Sequence, residues 1–287
     1  MLAQLAASLL DGLLIGFVYG IAAMGLTLIW GVVKIINLAH GAIIALAMFG
    51  IYYLVLWTGI NPYVALPIVA IGGLAAGYVI YVLAVRRVVN ATELASLLAT
   101  FAVNMMIIGT ATTVFTTSPY SVPFDLGGVD AGFVTIPGTR LVACVVAILV
   151  TAGLYLLLYR SGIGRAIRAV ANNRDAAELM GIPSGRILAL SFGLGTMLAA
   201  AAGGLIATFF PFTILSGEAY QLKSFVIVVL GGLGNPLGAL AGGLILGSLE
   251  GLVPVFTSVS WVPVIEFGLF VVILLVLPKG VFGGRSA

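Results

Sequence analysis

Asn37 and His40 stand three positions apart in VKIINLAHGAI (Val33–Ile43), between two long uncharged runs. An amide and an imidazole supply hydrogen-bond donors and acceptors, and lipid offers no partner for either. Polar groups at membrane depth are costly, and they face a cavity or one another. Two readings of this pair are open. In one, Asn37 and His40 line or gate a route for a solute. In the other, Asn37 caps a helix that starts below the interface, with His40 and Gly41 in its first turn, and His40 hydrogen-bonds two helices together. Further along, Glu218, Lys223, Glu250 and Glu266 are set in apolar sequence. Glu218 and Glu250 fall near helix ends, where water or a partner can solvate them. Glu266 lies further into its helix and is a third candidate for the route, with Lys223 as an available counter-ion.

No enzymatic constellation accompanies these residues. One histidine excludes multi-histidine metal sites, and the carboxylates show no clustered spacing. Cys144 is the only cysteine, which excludes an intrachain disulfide and a cysteine-based zinc site. Gly231–Gly238 lacks the Lys-Ser/Thr of a phosphate loop. The chain is expected to carry no metal and no cofactor, and not to hydrolyse ATP.

The elements that hold these residues follow from composition. Of 287 residues, 7% are charged and 62% hydrophobic, with a mean hydropathy of +1.27. A water-soluble domain carries roughly 25% charged residues. The bilayer must therefore be the solvent for most of this protein. The small excess of 12 basic over 9 acidic residues gives no warrant for nucleic-acid binding. Uncharged stretches long enough to cross a membrane occur at Gly12–Val33, Gly41–Gly59, Pro62–Val85, Leu94–Ser118, Leu141–Tyr159 and Ile187–Gly217. After Lys223 come two shorter pieces, Ser224–Leu233 and Leu237–Leu249, around GNPLG (Gly234–Gly238), and a last helix from about Trp261 to Leu277. These runs are too long for barrel strands. The expected fold is all-α: a polytopic helical membrane protein of eight or nine transmembrane helices, forming one domain over residues 1–287. The N-terminal run lacks a basic flank and is too long for a cleaved signal, so it reads as a retained helix.

Lys and Arg set the orientation. Arg86 and Arg87 share one short loop. Arg160, Arg165, Arg168, Arg174 and Arg186 share another, and Lys279 and Arg285 end the chain. These belong in the cytoplasm, and the Pro119–Gly138 loop, with Asp125 and Asp130 but no cation, belongs outside. An even number of crossings after Arg186 then requires GNPLG to be a tight inner turn between two short helices, which gives nine spans in all. Glycines and Ala239 fall in steps of four, Gly234–Gly238–Gly242 on one stripe and Ala239–Gly243–Gly247–Gly251 on the next. Such stripes let helix backbones approach closely in lipid.

The 160–186 loop holds seven of the chain's charges, in RSGIGRAIRAVANNRDAAELMGIPSGR. Asn173 is placed to cap a helix over roughly Arg174–Met180, with Asp175 in the first turn, Gly181 to end it and Pro183 to block its return. Two turns are not stable alone in water, so this helix should be docked. Its Ala176, Ala177, Leu179 and Met180 offer a small apolar surface. A pure topology signal needs neither a cap nor an apolar face, and the feature reads as a docking helix for a cytoplasmic partner.

DAAELMG (Asp175–Gly181) resembles the EAA-x-x-x-G signature by which permeases of ATP-binding-cassette importers engage their ATPase subunits. Asp175 replaces the usual Glu, and the signature's Ile-x-Leu-Pro tail is absent. The longer strings GRAIRAVANNRDAAELMGI, GLTLIWGVVKIINLAHG (Gly25–Gly41) and VVLGGLGNPLGALAG (Val228–Gly242) resemble the LivH-type permease subunits of branched-chain amino-acid importers, in the same order and over nearly the whole chain. That resemblance implies an inner-membrane permease domain whose coupling loop, 160–186, meets ATPases through Arg165, Arg168, Arg174, Asp175, Ala176, Ala177, Glu178, Leu179 and Gly181. It also implies a second permease subunit of LivM type, two cytoplasmic ATP-binding subunits that hold the ATP, and an extracytoplasmic solute-binding protein. Relatives in the family carry leucine, isoleucine and valine, other amino acids, amides, urea or aromatic acids. The alternative is a self-contained channel or secondary transporter for a small neutral solute such as urea or an amide.

Overall fold

The structure, a computed structural model, describes residues 2–130, 135–277 and 280–282. The helices are α1 (Leu2–Val33), α2 (His40–Thr58), α3 (Pro62–Leu83), α4 (Glu93–Phe115), α5 (Gly138–Arg160), α6 (Gly162–Asn172), α7 (Arg174–Leu179), α8 (Ser184–Ile206), α9 (Ser216–Gly231), α10 (Pro236–Phe256) and α11 (Val262–Val276). A short antiparallel pair, β1 (Gly128–Asp130) and β2 (Thr135–Pro137), lies in the α4–α5 connection. Among the described residues eight helices are long and apolar enough to cross a membrane: α1 to α5, α8, α10 and α11. The polytopic all-helical class is thus observed. The ninth expected span, α9, has 16 residues, about 24 Å at 1.5 Å per residue, against a hydrocarbon core of about 30 Å.

Local sequence explains the helix limits. Asn61 accepts a hydrogen bond from Tyr63 N ahead of Pro62, and Asn235 accepts one from Gly238 N ahead of Pro236. Each is an N-cap followed by a proline whose missing N–H costs nothing at that position. Thr92 caps α4, with Glu93 in the first turn. GNPLG is a tight turn, with Gly234 at φ +84, and it reverses the chain so that α9 and α10 run antiparallel.

Helices α1 and α8 form the buried axis of the bundle, while α3, α4, α5, α10 and α11 turn most of their surface outward. Glycine makes the close crossings. A Cβ on Gly12 would sit 2.3 Å from Gly247 O, and one on Gly25 would sit 2.3 Å from Gly195 O. The two stripes of α10 serve two partners: Gly243, Gly247 and Gly251 press on α1, whereas Gly238 and Gly242 press on α9. At such approaches dispersion between backbones replaces side-chain interdigitation.

Several expected boundaries move. Helix α1 begins at Leu2, before Gly12, and runs through Asp11, whose carboxylate is paired with Arg140. The run Ile187–Gly217 is not one helix. It stops at Ile206, and the following return segment pairs Phe212 with Tyr120 through two backbone hydrogen bonds of 2.8 and 2.9 Å. Helix α9 starts at Ser216 and contains Lys223, which had marked a break in the apolar pattern. Helix α6, an amphipathic segment that buries Gly164, Ile167 and Val170, was not anticipated within the arginine-rich loop. Lys279 and Arg285 lie outside the described residues, as does 131–134 of the acidic loop.

Candidate functional site

The connection between α1 and α2 is a break inside the bundle. Lys34, at φ +61, ends α1, and Lys34–Ala39 doubles back before α2 begins at His40. His40 Nε2 lies 3.0 Å from the carbonyl oxygen of Ala22. That oxygen only accepts, so Nε2 carries the proton and donates, which leaves Nδ1 as the acceptor nitrogen. Ala22 is about 16 Å back along α1 from Val33, so α2 starts deep within the bundle. Gly41 N donates to Gln221 Oε1 at 2.9 Å, and Gly41 packs directly on Gly217. The first turns of α2 and α9 therefore meet at depth, and the Gln221 side chain serves a free amide of α2. From α4, Thr100 Oγ1 donates to Ile36 O at 3.0 Å.

Asn37 Oδ1 accepts from Ala39 N at 3.1 Å. The N-cap position itself is Ala39, with no side-chain cap, so Asn37 shapes the turn that precedes α2 and does not cap the helix. Asn37 and His40 are both fully buried, and Asn37 Nδ2 and His40 Nδ1 have no hydrogen-bond partner. Both side chains lie wholly inside the bundle. They hold the broken helix in place through the Asn37–Ala39 and His40–Ala22 hydrogen bonds.

A second polar group forms among α1, α5, α9, α10 and α11. Lys223 Nζ donates to Glu250 Oε2 at 2.7 Å and lies 4.8 Å from the Tyr19 ring centroid. Glu266 Oε1 is 3.7 Å from the same ammonium, an ion pair too long for a hydrogen bond, and is otherwise unpartnered. At the end of the bundle away from the arginine-rich loop, Arg140 pairs with Asp11 and stacks near Phe209 and Phe210. Both groups line one cavity of about 470 Å3. The sequence left a Glu266–Lys223 pair open, and the structure brings the two within 3.7 Å; Asp11 and Arg140 were missed. The missed signal was a cation two residues after an acidic loop and at the head of an apolar run.

The 160–186 segment folds into α6, α7 and the start of α8. Asn173 Oδ1 caps α7 by accepting from Ala176 N at 3.0 Å, and Gly181, at φ +80, ends it. Arg174 is the hub. Its guanidinium reaches Glu178 Oε1 and Ser184 Oγ at 3.3 Å each, and Asn90 Oδ1 at 2.8 Å. It thereby ties α7 to α8 and to the α3–α4 connection. The Ser184 hydroxyl donates to Glu178, and together with Arg174 it holds the Glu178 carboxyl below the usual glutamate range. Ala177 turns inward and is buried, whereas Ala176, Leu179 and Met180 point out, the last two 89% and 83% exposed. Asp175 and Arg165 are exposed; so is Arg168, whose guanidinium stacks 5.0 Å from the Tyr159 ring. Among the described residues no three His, Cys, Asp or Glu side chains converge as a metal site would require.

The family described as branched-chain amino acid transport system / permease component matches residues 8–277. The high-affinity branched-chain amino acid transport system permease protein LivH of Escherichia coli (strain K12) is 29% identical, over 95% of this chain and 94% of its own. The corresponding protein BraD of Pseudomonas aeruginosa is 28% identical, over 96% of this chain and 94% of its own. Among solved structures, PsaBC from Streptococcus pneumoniae in complex with Fab shares the fold, with a TM-score of 0.52 at 14% identity over 97% of each chain.

Proposed function

We propose, from the premise that the chain belongs to the branched-chain amino acid transport permease-component family, that it is the membrane subunit of an ATP-driven importer for branched-chain amino acids. The carrying observation is the family match across 8–277. Alongside it stands a short capped helix, α7, that presents Leu179 and Met180 to solvent. Exposed apolar side chains on a helix too short to stand alone are explained by a partner that covers them.

In this reading the arginine-rich end is cytoplasmic, the membrane is the bacterial inner membrane, and two separate ATPase subunits bind beneath. The chain itself needs no cofactor. A second permease subunit of LivM type completes the pore, and an extracytoplasmic binding protein delivers cargo. Closure of the ATPases moves α7. Arg174 passes that movement to Ser184 at the head of α8 and to Asn90 ahead of α4. Helix α8 then carries it to the axis of the bundle, where a Cβ on Gly203 would meet Ile44 O of α2 at 2.3 Å. Helix α2 is the broken one, so a displacement of α8 bears on the Asn37–His40 turn and on Gly41–Gln221 beside it. Tight packing converts a small shift at α7 into a discrete rearrangement at that break.

The experiment is affinity capture of the chain from its native membrane in mild detergent, followed by reconstitution with binding protein and ATP. Nucleotide-binding subunits should co-purify, and leucine, isoleucine or valine should accumulate in vesicles only when ATP is present. Accumulation by the isolated chain without nucleotide would overturn the reading in favour of a self-contained transporter.

A further inference from the structure

The cavity bounded by α1, α5, α9, α10 and α11 is unbalanced in charge. Its walls carry Asp11, Glu250 and Glu266 against Arg140 and Lys223. Lys223 donates to Glu250 at 2.7 Å and to the Tyr19 hydroxyl at 3.5 Å, and Arg140 is engaged by one oxygen of Asp11. Two carboxylate oxygens are then left over, Glu266 Oε1 and Asp11 Oδ1, both buried and without a donor. The Glu266 residue is only 4% exposed. A buried carboxylate lacking hydrogen bonds is strongly disfavoured unless something brings it a donor. Glu266 Oε1 has the Lys223 ammonium at 3.7 Å, beyond hydrogen-bond length, and so retains room for a further N–H donor. The same cavity is lined by the Arg140 guanidinium, a planar donor array with geometry suited to a carboxylate. Phe210, whose ring centroid lies 5.3 Å from that guanidinium, gives the cavity an apolar flank. The volume, about 470 Å3, falls within the roughly 300–1,000 Å3 typical of small-molecule sites.

We propose that this cavity is a transient seat for a free zwitterionic amino acid inside the permease, with Glu266 accepting the cargo's ammonium group and Arg140 receiving its carboxylate. The proposal rests on the importer reading and deepens it. It adds a contact within the membrane subunit that reads the amino-acid backbone, whatever the side chain. The seat lies at the end of the bundle opposite α7, where cargo released by a binding protein would first arrive. Lys223 and Glu250 act as positioning residues: their 2.7 Å pair holds the ammonium 3.7 Å from Glu266, beyond hydrogen-bond length, so that acceptor stays available.

The test uses the assembled importer. Val259, exposed in the short turn at the cavity mouth, is replaced in a Val259→Cys variant and labelled with a membrane-impermeant maleimide; the one native cysteine, Cys144, is buried. The probes are L-leucine, N-acetyl-L-leucine, which lacks the ammonium group, and L-leucinamide, which lacks the carboxylate. L-leucine should slow labelling severalfold, and each derivative should protect much less. In proteoliposomes Glu266→Gln should lower ATP-driven leucine uptake by roughly tenfold, the scale of one charge-assisted hydrogen bond. ATP hydrolysis stimulated by the binding protein should stay within about twofold. Equal protection by N-acetyl-L-leucine, or normal uptake by Glu266→Gln, overturns the seat. If Glu266→Gln does not assemble, the labelling of Val259→Cys alone decides. Failure of the unsubstituted complex to take up amino acids counts against the importer reading instead, and the labelling comparison still judges the seat.

Discussion

His40 shows how one side chain can fix a helix break. Its Nε2–H reaches across to the Ala22 carbonyl, and its ring fills a fully buried site at the head of α2. Replacement by alanine removes the bond and leaves a void, at a cost of about 1–3 kcal/mol. We expect His40→Ala to lower the thermal midpoint of the detergent-solubilised protein and to reduce uptake in parallel. If both stay at the level of the unsubstituted protein, the turn does not depend on this residue. Glu178 acts at the opposite, solvated end. Its carboxyl is held low by the Ser184 hydroxyl and by Arg174, so the ionised form favours the docked loop. That contribution is complete above the ordinary glutamate pKa of about 4.3 and is lost as pH falls through the lower value of the folded protein. Amide exchange in α7, corrected for its intrinsic pH dependence, should be flat from neutral pH to about pH 5 and rise only in stronger acid. Glu178→Gln should remove that transition.

Helix α7 is where sequence and structure agree most closely, and the agreement has a local cause. A cap, an acidic first turn and a terminating glycine act within a few residues, so Asn173, Asp175 and Gly181 could be read without any tertiary information. What the sequence could not say is which apolar residues of α7 face out. Six residues are too few for a periodicity, and only the fold shows Ala177 inward and Leu179 and Met180 outward. Helix α9 failed for the opposite reason. Lys223 interrupts the apolar pattern, yet its charge is met by Glu250, more than twenty residues away on α10. The same holds for Asp11 and Arg140. Pairing across helices cannot be read from one strand of sequence, so membrane-buried charges looked like boundaries. The outward pair gives the element-scale prediction. Leu179→Glu, which alters no packed surface, should leave membrane insertion and the thermal midpoint unchanged while sharply reducing co-purified ATPase subunits and abolishing ATP-driven uptake. Normal uptake by Leu179→Glu would remove α7 from the coupling path.

Across the whole molecule, stability is concentrated where backbones touch. Among the described residues, the eight helices long and apolar enough to cross a membrane gain nothing from moving apolar side chains out of lipid and into one another, because both environments are apolar. What remains is close packing. Here it is provided by α1, which meets α10 and α8 through glycine along much of its length. Glycine costs roughly 1 kcal/mol of helix propensity per position relative to alanine, so a glycine with no close neighbour should be replaceable and one at a crossing should not. The two cases can be compared in one protein. A Cβ at Gly247 would fall 2.4 Å from Gly12 O and 2.5 Å from Gly16 Cα, whereas a Cβ at Gly153, on α5, meets nothing within 4 Å. Gly247→Leu must push α1 away from α10 or distort both, at a cost of at least about 1–3 kcal/mol. Because α1 also carries the Ala22 carbonyl and the Gly25 crossing to α8, that displacement reaches the break at His40. We therefore expect Gly247→Leu to cut the yield of monodisperse protein and to lower the thermal midpoint, and Gly153→Leu to match or exceed the unsubstituted protein in both. Equal behaviour of the two variants on extraction and heating would mean that the α1–α10 crossing is not what holds the bundle together.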